Sequence, residues 1–355
     1  MSPRAKFISH NLLSEKNIAK YVLPKYNLFN CDIEQIKIKN TEKHRAVYKI
    51  HSKLGENFCL KKVYYNEEHL LFIYSAVEWL SRNNISVPKF LPTADNNRFI
   101  NFKEMLFIMT PWVEGQKCSY DNLSDVINSS KNLATIHKIS EKFKPIPGST
   151  IKKGYDNIYI STSKHFNRLL TYSNLAFNYN DTFSKIYLNS FEINSSLAQF
   201  SVEMASSISF NKLSSSLCHG DYVNKNIITD THNNIWVIDF DKCCLDYSCH
   251  DISYYLRRLL KRSNTEWNVQ IALKCLKRYY EINPLSSEDF KYILVYLAFP
   301  QKYWRLSRDY FNNIETCNKA TFCDLLLKTT SKREAQIKFI DKLYTDLRKE
   351  FNINI

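Results

Sequence analysis

Glycine is scarce, at 5 of 355 residues. A G-x-G-x-x-G dinucleotide fingerprint and a Walker A loop are both absent by inspection, as is any glycine-rich linker or collagen-like repeat. Long apolar runs are missing too. No stretch approaches the roughly 20 uncharged apolar residues that cross a bilayer. The opening MSPRAKFISHNLLSEK has no apolar centre of a secretory signal. The expectation is cytosolic synthesis and no membrane partner. No cysteines stand as C-x-x-C, although the chain has 10 of them. Cys243, Cys244, Cys249 and His250 are close in the string, but a zinc site needs a second half at a distance. None is visible near Cys275, Cys317 or Cys323, so reduced thiols and no disulfide framework are expected.

What is present is an ordinary globular mixture: 44% hydrophobic and 24% charged residues, with a net charge of +14. The basic residues are spread along the chain. Even the densest stretch, KRSNTEWNVQIALKCLKR, is broken by apolar residues at helical spacing. That is a solvated basic face rather than a nucleic-acid footprint, and no nucleic-acid partner is expected.

The length allows one large domain or two modest ones. The first third reads as strands: IEQIKIKN, RAVYKIHS and NFCLKKVYY alternate in polarity, separated by breaks at 40–43 and 54–57. A helix is expected over 67–82, with Leu70, Leu71, Ile73, Tyr74, Val77 and Leu80 as its apolar stripe. Two further strands fit 98–102 and 105–111. Beyond a composition shift at 111–115 the pattern is mostly helical, notably over 119–143, 181–208 and from Asp251 onward. A β-like insert covers about 217–241. The expected organisation is 1–113, a five-stranded antiparallel sheet with one helix, and 114–355, a helical lobe carrying the chemistry.

The strongest chemical signal is CHGDYVNKNIITD followed by IWVIDFDKCC. Ile227–Ile228 and Ile235–Ile238 flank a turn and read as a hairpin. Such a hairpin carries Asp239 back beside the loop holding Asp221 and Asn226. Two carboxylates and an amide oxygen then converge. Oxygen donors of this kind suit Mg²⁺, and a carboxylate off the metal can accept a proton from an attacking hydroxyl. These are the parts of phosphoryl transfer.

H-G-D-x-x-x-x-N followed by I-D-F-D resembles the aminoglycoside phosphotransferase and choline kinase superfamily. The closer likeness is to one branch, the CotS family of spore-coat-associated kinase-like proteins. VIDFDKCCLDYSCHDISYYLRRLLK, PQKYWRLSRDYF, LFIYSAVEWL and LATIHKI carry that likeness over nearly the whole chain. The resemblance implies an α+β, protein-kinase-like bilobal fold with a small β-rich N-lobe and a larger helical C-lobe. It also implies ATP and Mg²⁺, with a small-molecule or saccharide acceptor, and places the protein at the spore coat among other coat proteins. By position, Asp221 would be the catalytic base, and Asn226 and Asp239 the metal ligands. Asp241 would orient the loop, His219 would pin the backbone, and Asp251 would cap its helix and brace the catalytic loop. In a strand Lys61 and Lys62 point to opposite faces; the resemblance selects Lys61 for the α- and β-phosphates. Backbone groups from Thr110 to Trp112 would read the adenine edge, and Met109 would sandwich its ring. The acid paired with Lys61 would come from the following helix, where Glu67, Glu68 and Glu78 are available; Glu67 or Glu68, near its start, is the expectation.

Some features depart from that pattern. The phosphate-covering stretch NTEKHRAVYK has no glycine, although close backbone approach is easiest for glycine. No D-F-G or A-P-E element is present, which argues against a conventional Ser/Thr kinase. His137 reads as a packed helix histidine, and Tyr303 and Trp304 as core or cleft-wall aromatics. Arg305 and Arg308 are equally compatible with contacting an anion on the acceptor side and with a solvated face. The alternative function is a non-catalytic coat or assembly protein that keeps the kinase fold.

Overall fold

The computed structural model describes residues 12–39 and 45–355. The glycine-free stretch at 40–44 therefore lies outside the described residues. Two compact units emerge. The first comprises Met1–Cys118, Lys142–Lys152 and Asn224–Cys243; the second comprises Ser119–Glu141, Lys153–Val223 and Cys244–Ile355.

The first unit is organised by a five-stranded sheet: β1 (Asp32–Lys39), β2 (Arg45–His51), β3 (Asn57–Lys62), β4 (Ile100–Phe102) and β5 (Met105–Pro111), in the order β1-β2-β3-β5-β4. Every neighbouring pair is antiparallel. One face buries Ala46, Tyr48, Ile50, Leu60, Phe107 and Met109 against Ile18, Val22 and Leu23 of the N-terminal helical turns. Helix α1 (Glu67–Arg82) begins where Asn66 accepts the His69 N–H and buries Leu70, Phe72, Ile73, Ala76, Val77 and Leu80. Its bounds match the sequence expectation.

The boundary expected at 113 falls short of the observed one because later segments are stitched back into this unit. Strand β6 (Gln116–Lys117) pairs with β8 (Ile227–Thr229), which pairs with β9 (Ile235–Val237). Cys118 donates to the Ile227 carbonyl at 2.9 Å, and Val237 to Ser86 at 3.0 Å. Gly115 is needed for this closeness, since a Cβ there would meet the Thr229 carbonyl oxygen at 2.4 Å. The 142–152 segment is held by Phe143, edge-on to Phe72 and Trp79, and by Thr150, whose N–H reaches the Glu68 carbonyl.

The second unit is helical around one small ribbon, β7 (Ser215–Cys218) against β10 (Cys244–Tyr247). Its helices are α2 (Leu123–Ser140), α3 (Ile158–Tyr179), α4 (Thr182–Asn189), α5 (Phe191–Ser206), α6 (Ser248–Leu260), α7 (Val269–Tyr280), α8 (Ser287–Ala298), α9 (Gln301–Phe311), α10 (Lys319–Thr330) and α11 (Arg333–Phe351). The helical pattern expected over 181–208 is two helices, because Ser190 ends α4 and starts α5. Tyr187, Tyr303, Tyr310 and Phe183 form an aromatic core here, with Tyr187 and Tyr303 stacked at 4.8 Å. Tyr303 and Trp304 are thus core residues. The cysteines are all free thiols. No helix among the described residues is long and apolar enough to cross a membrane.

Candidate active site

Lys61 sits in the middle of the sheet, opposite Val47 on one side and Ile108 on the other. Leu60 before it is fully buried in the core, so strand alternation turns Lys61 to the other face. Its ammonium meets two carboxylates, Asp239 at 2.7 Å and Asp241 at 2.6 Å. Burial pulls the ammonium's pKa down, but Asp241 and Asp239 outweigh it and the net direction is up.

Those carboxylates are delivered by the hairpin. Ile227 faces Val237, and the Ile238 N–H donates to the Asn226 carbonyl at 2.9 Å. Asn226 and Asp239 therefore adjoin at one end of the β8–β9 ribbon. Asp239 has left-handed backbone (φ 66°, ψ 64°) and leads into a single 3-10 turn, Phe240–Lys242, that carries Asp241. A non-glycine residue held there costs about 1–3 kcal/mol, a strain typical of functional positions. The two acids differ in setting. The Asp239 side chain keeps 35% of its surface and that of Asp241 only 5%. Tyr65 donates to Asp241 at 3.2 Å, and Arg45 stands 3.6 Å from its other oxygen, Oδ2. That oxygen is buried and accepts no hydrogen bond. Asp241 braces the ammonium, while Asp239 is the more exposed member. Asn226 and Asp239, adjoining at the end of the ribbon, offer an amide oxygen and an accessible carboxylate, the donor types Mg²⁺ takes.

Several expected positions are corrected. Glu67 and Glu68 are exposed in the first turn of α1, and the partners of Lys61 come from the hairpin instead. Helix-start acids favour the helix dipole and solvent, and nothing draws them to the sheet face. Met109 lies opposite Leu60 in register and is 1% exposed in the core. Its side chain is thus on the face away from Lys61 and is not placed to cover a ring there. The residues sharing the Lys61 face are Val47, Cys59, Ile108 and Thr110. A step of two along β3 finds Cys59; Val47, Ile108 and Thr110 follow only from the cross-strand register. Burial pushes the Cys59 thiol up to about 11. The Trp112 N–H is engaged by the Asn57 carbonyl at 2.9 Å, and Pro111 has none to offer, so that stretch has fewer donors than expected. The Trp112 ring is covered by Lys49 at 4.8 Å.

Asp221 belongs to the second unit and is 8% exposed. The loop bearing it is fixed by Asp251 of α6, whose carboxylate accepts the backbone N–H of His219 at 2.6 Å and of Gly220 at 3.0 Å. Gly220 has φ 72°, the left-handed region glycine enters freely. His219 Nδ1 in turn accepts the Asp221 N–H at 3.2 Å. Asp251 is buried, which raises its pKa, but hydrogen bonding and charge from His137, then His219, hold the net direction below the usual carboxylate range. It does not cap its helix, since the N-cap position is Tyr247. His137 is fully buried, with Nδ1 2.6 Å from the Tyr279 hydroxyl and Nε2 3.5 Å from Asp251. Buried His137, Cys218 and Asp251 approach one another as a metal trio would. Both Asp251 oxygens, however, are already hydrogen-bonded to the loop and His137 Nδ1 to Tyr279, so the trio is a structural brace. Sequence reasoning missed Tyr254, which donates to Asp221 Oδ1 at 3.2 Å.

Among the solved structures that share this fold are three phosphotransferases and kinases. An aminoglycoside phosphotransferase from Alicyclobacillus acidocaldarius superposes with a TM-score of 0.79 at 17% identity, covering 93% of this chain and 96% of that one. Spectinomycin phosphotransferase, in complex with ADP and spectinomycin, gives 0.64 at 15% identity, covering 91% and 98%. The microcompartment-associated aminopropanol kinase gives 0.59 at 12%, covering 94% and 98%. At such identities the likeness is one of fold: a sheet-bearing N-lobe and a helical C-lobe of the aminoglycoside phosphotransferase type. The family described as spore coat putative kinase YutH matches residues 33–343, and this chain belongs to that family.

Proposed function

We propose that the protein is an ATP- and Mg²⁺-dependent phosphotransferase that phosphorylates a hydroxyl of a small molecule or saccharide, in association with the spore coat. The observation that carries this reading is the Lys61 ammonium held against Asp239, the accessible carboxylate beside Asn226. In this reading Lys61 contacts the α- and β-phosphates, and Asn226 and Asp239 hold the metal. When bound, Mg²⁺ would neutralise the charge of the transferred phosphoryl group. Asp241 keeps Lys61 aimed, and Arg45 and Tyr65 keep Asp241 in place. Asp221 accepts the proton from the acceptor hydroxyl as its oxygen attacks the γ-phosphorus in line with the departing ADP oxygen. Asp251 and His219 fix the loop so that Asp221 needs no reorganisation. ATP consumption across a panel of metabolites and polysaccharide fragments tests the reading, with Asp221→Asn as the control. A consumed acceptor whose turnover is untouched by that substitution would contradict the role given to Asp221.

One observation favours a second reading, a coat assembly protein without catalysis. Lys61 is closed on two carboxylates at 2.6 and 2.7 Å, and phosphates must displace at least one. A protein that shows no ATP binding yet is required for coat assembly would fit this reading instead.

A further inference from the structure

Loops that cover phosphates commonly present backbone N–H groups, and glycine lets the backbone come close enough to do so. The sequence NTEKHRAVYK offers no glycine for this, but it does offer a charged side chain at the start of β2, Arg45. Ala46 and Tyr48 are fully buried in the core, so alternation puts Arg45, Val47 and Lys49 on the opposite face of the sheet. Val47 stands opposite Lys61 in register. Arg45 therefore shares the Lys61 face, two residues farther along the sheet, or about 7 Å by strand rise.

The two cations of β2 on that face are held differently. Lys49 is engaged: its ammonium meets Glu114 at 3.3 Å and lies over the Trp112 ring at 4.8 Å. The Arg45 guanidinium lies 4.0 Å from the centre of the Tyr64 ring, a contact that fixes its place. Its Nη1 stands 3.6 Å from Asp241 Oδ2, too far for a hydrogen bond, and that oxygen accepts none. Among the described residues the guanidinium makes no hydrogen bond, and the side chain keeps 25% of its surface. The other oxygen of Asp241 takes Lys61 at 2.6 Å. One carboxylate thus stands between two cations, an ammonium it holds tightly and a guanidinium it holds at a distance. An arginine that served only to brace Asp241 would close on the vacant oxygen. Instead a fork of N–H donors is steadied by a ring and a charge, and its donors remain available beside Lys61.

We propose that Arg45 is a phosphate-binding residue, whose guanidinium takes the nucleotide's terminal phosphates in place of the backbone donors of a glycine loop. The proposal rests on the phosphotransferase reading and deepens it. In that reading the adenine lies toward Thr110–Trp112. Thr110 and Pro111 pair with Cys59 and Phe58 of β3, on one side of Lys61. Arg45 lies on the other side, because Ala46 already pairs with Lys62. The order adenine, Lys61, Arg45 sets Arg45 at the end of the chain of phosphates farthest from the base. A guanidinium can take two oxygens of one phosphate there, and it brings a positive charge that backbone N–H groups lack.

Calorimetry with ATP and with AMP, on the full chain in the presence of Mg²⁺, tests it. Arg45→Gln should weaken ATP about tenfold or more and leave AMP within about twofold of wild type, since AMP has no phosphate at that end. Tyr65→Phe removes the hydrogen bond to Asp241 without removing a cation, and should weaken ATP less than Arg45→Gln does. Arg45→Lys keeps the charge without the planar fork and should fall between wild type and Arg45→Gln. Should Arg45→Gln fail to fold, Arg45→Lys carries the same comparison of ATP with AMP. ATP bound equally by wild type and Arg45→Gln, a loss as large for AMP as for ATP, or a loss matched by Tyr65→Phe would overturn the proposal and leave the phosphotransferase reading standing. No binding of either nucleotide by the wild type would sink both.

Discussion

The two units carry their charge on opposite plans. Around Lys61 each charge has its opposite: one ammonium, two carboxylates, then Arg45 and Tyr65 behind Asp241. Arg257 of α6 leans instead on the hydroxyl and ring of Tyr296, and no ion pair joins it to a carboxylate among the described residues. A compensated cluster holds its geometry before any ligand arrives, which is what positioning a nucleotide requires. Removing one member of such a cluster should disturb its neighbours, whereas removing an exposed cation should not.

The largest effect is expected at Asp221. Asp221→Asn should lower acceptor-dependent ADP release by roughly 10²–10⁴-fold, the usual scale for a general acid–base group, while thermal stability stays close to wild type. Comparable losses of both would place the residue with the structural acids.

Next is the compensated cluster itself. Lys61→Met leaves Asp239 and Asp241 facing each other and should cost about 1–3 kcal/mol in urea unfolding. Adding Asp241→Asn should return part of that loss. If the double substitution is as unstable as the sum of two damaging changes, the carboxylates are not coupled through Lys61.

Asp251→Asn should cost about 1–2 kcal/mol by weakening the bonds to His219 and Gly220. Its pH dependence follows from the depressed native pKa. Below the ordinary carboxyl value of 3.8 the unfolded chain takes up the proton before the folded one does, so the contribution is complete above 3.8 and fades as pH falls through the lower native value. The stability gap between wild type and Asp251→Asn should therefore narrow in melts taken below that pH. A gap that widens on acidification would contradict the assigned direction.

The smallest effect belongs to an exposed cation of the second unit. Arg305→Gln removes one exposed charge and should leave stability within about 0.5 kcal/mol of wild type, or slightly above it. A clear destabilisation would show that Arg305 has a structural partner after all.

Much of this was legible in the string because it followed local rules. Strand alternation put Lys61 and Lys62 on opposite faces, the hairpin at 227–238 placed Asp239 next to Asn226, and the apolar stripe of α1 marked its extent over 67–82. What was not legible depended on contacts between distant segments. The carboxylates of Lys61 lie 178 and 180 positions away, and no local pattern ranks them above Glu67 and Glu68. The face of Met109 follows from its register with Leu60, which the strand alone does not fix. The return of 142–152 and 224–243 to the first unit depends on hydrogen bonds to Glu68 and Ser86 that no composition shift marks. Helix α3 was missed because ISTSKHFNRLLTYSNLAFNY is rich in Ser, Thr and Asn, which favour helix interiors weakly, and its Asn157 cap is visible only in coordinates.

The most direct measurement of the central claim is thermal unfolding with ATP at millimolar concentration, with and without Mg²⁺, for the wild type and Lys61→Met. The account predicts a rise in Tm with Mg²⁺ and ATP together. At a hundredfold excess over Kd that corresponds to about 2.7 kcal/mol. The rise should be smaller without the metal and lost in Lys61→Met. A wild-type Tm unmoved by ATP and Mg²⁺, or an equal rise in Lys61→Met, would contradict it.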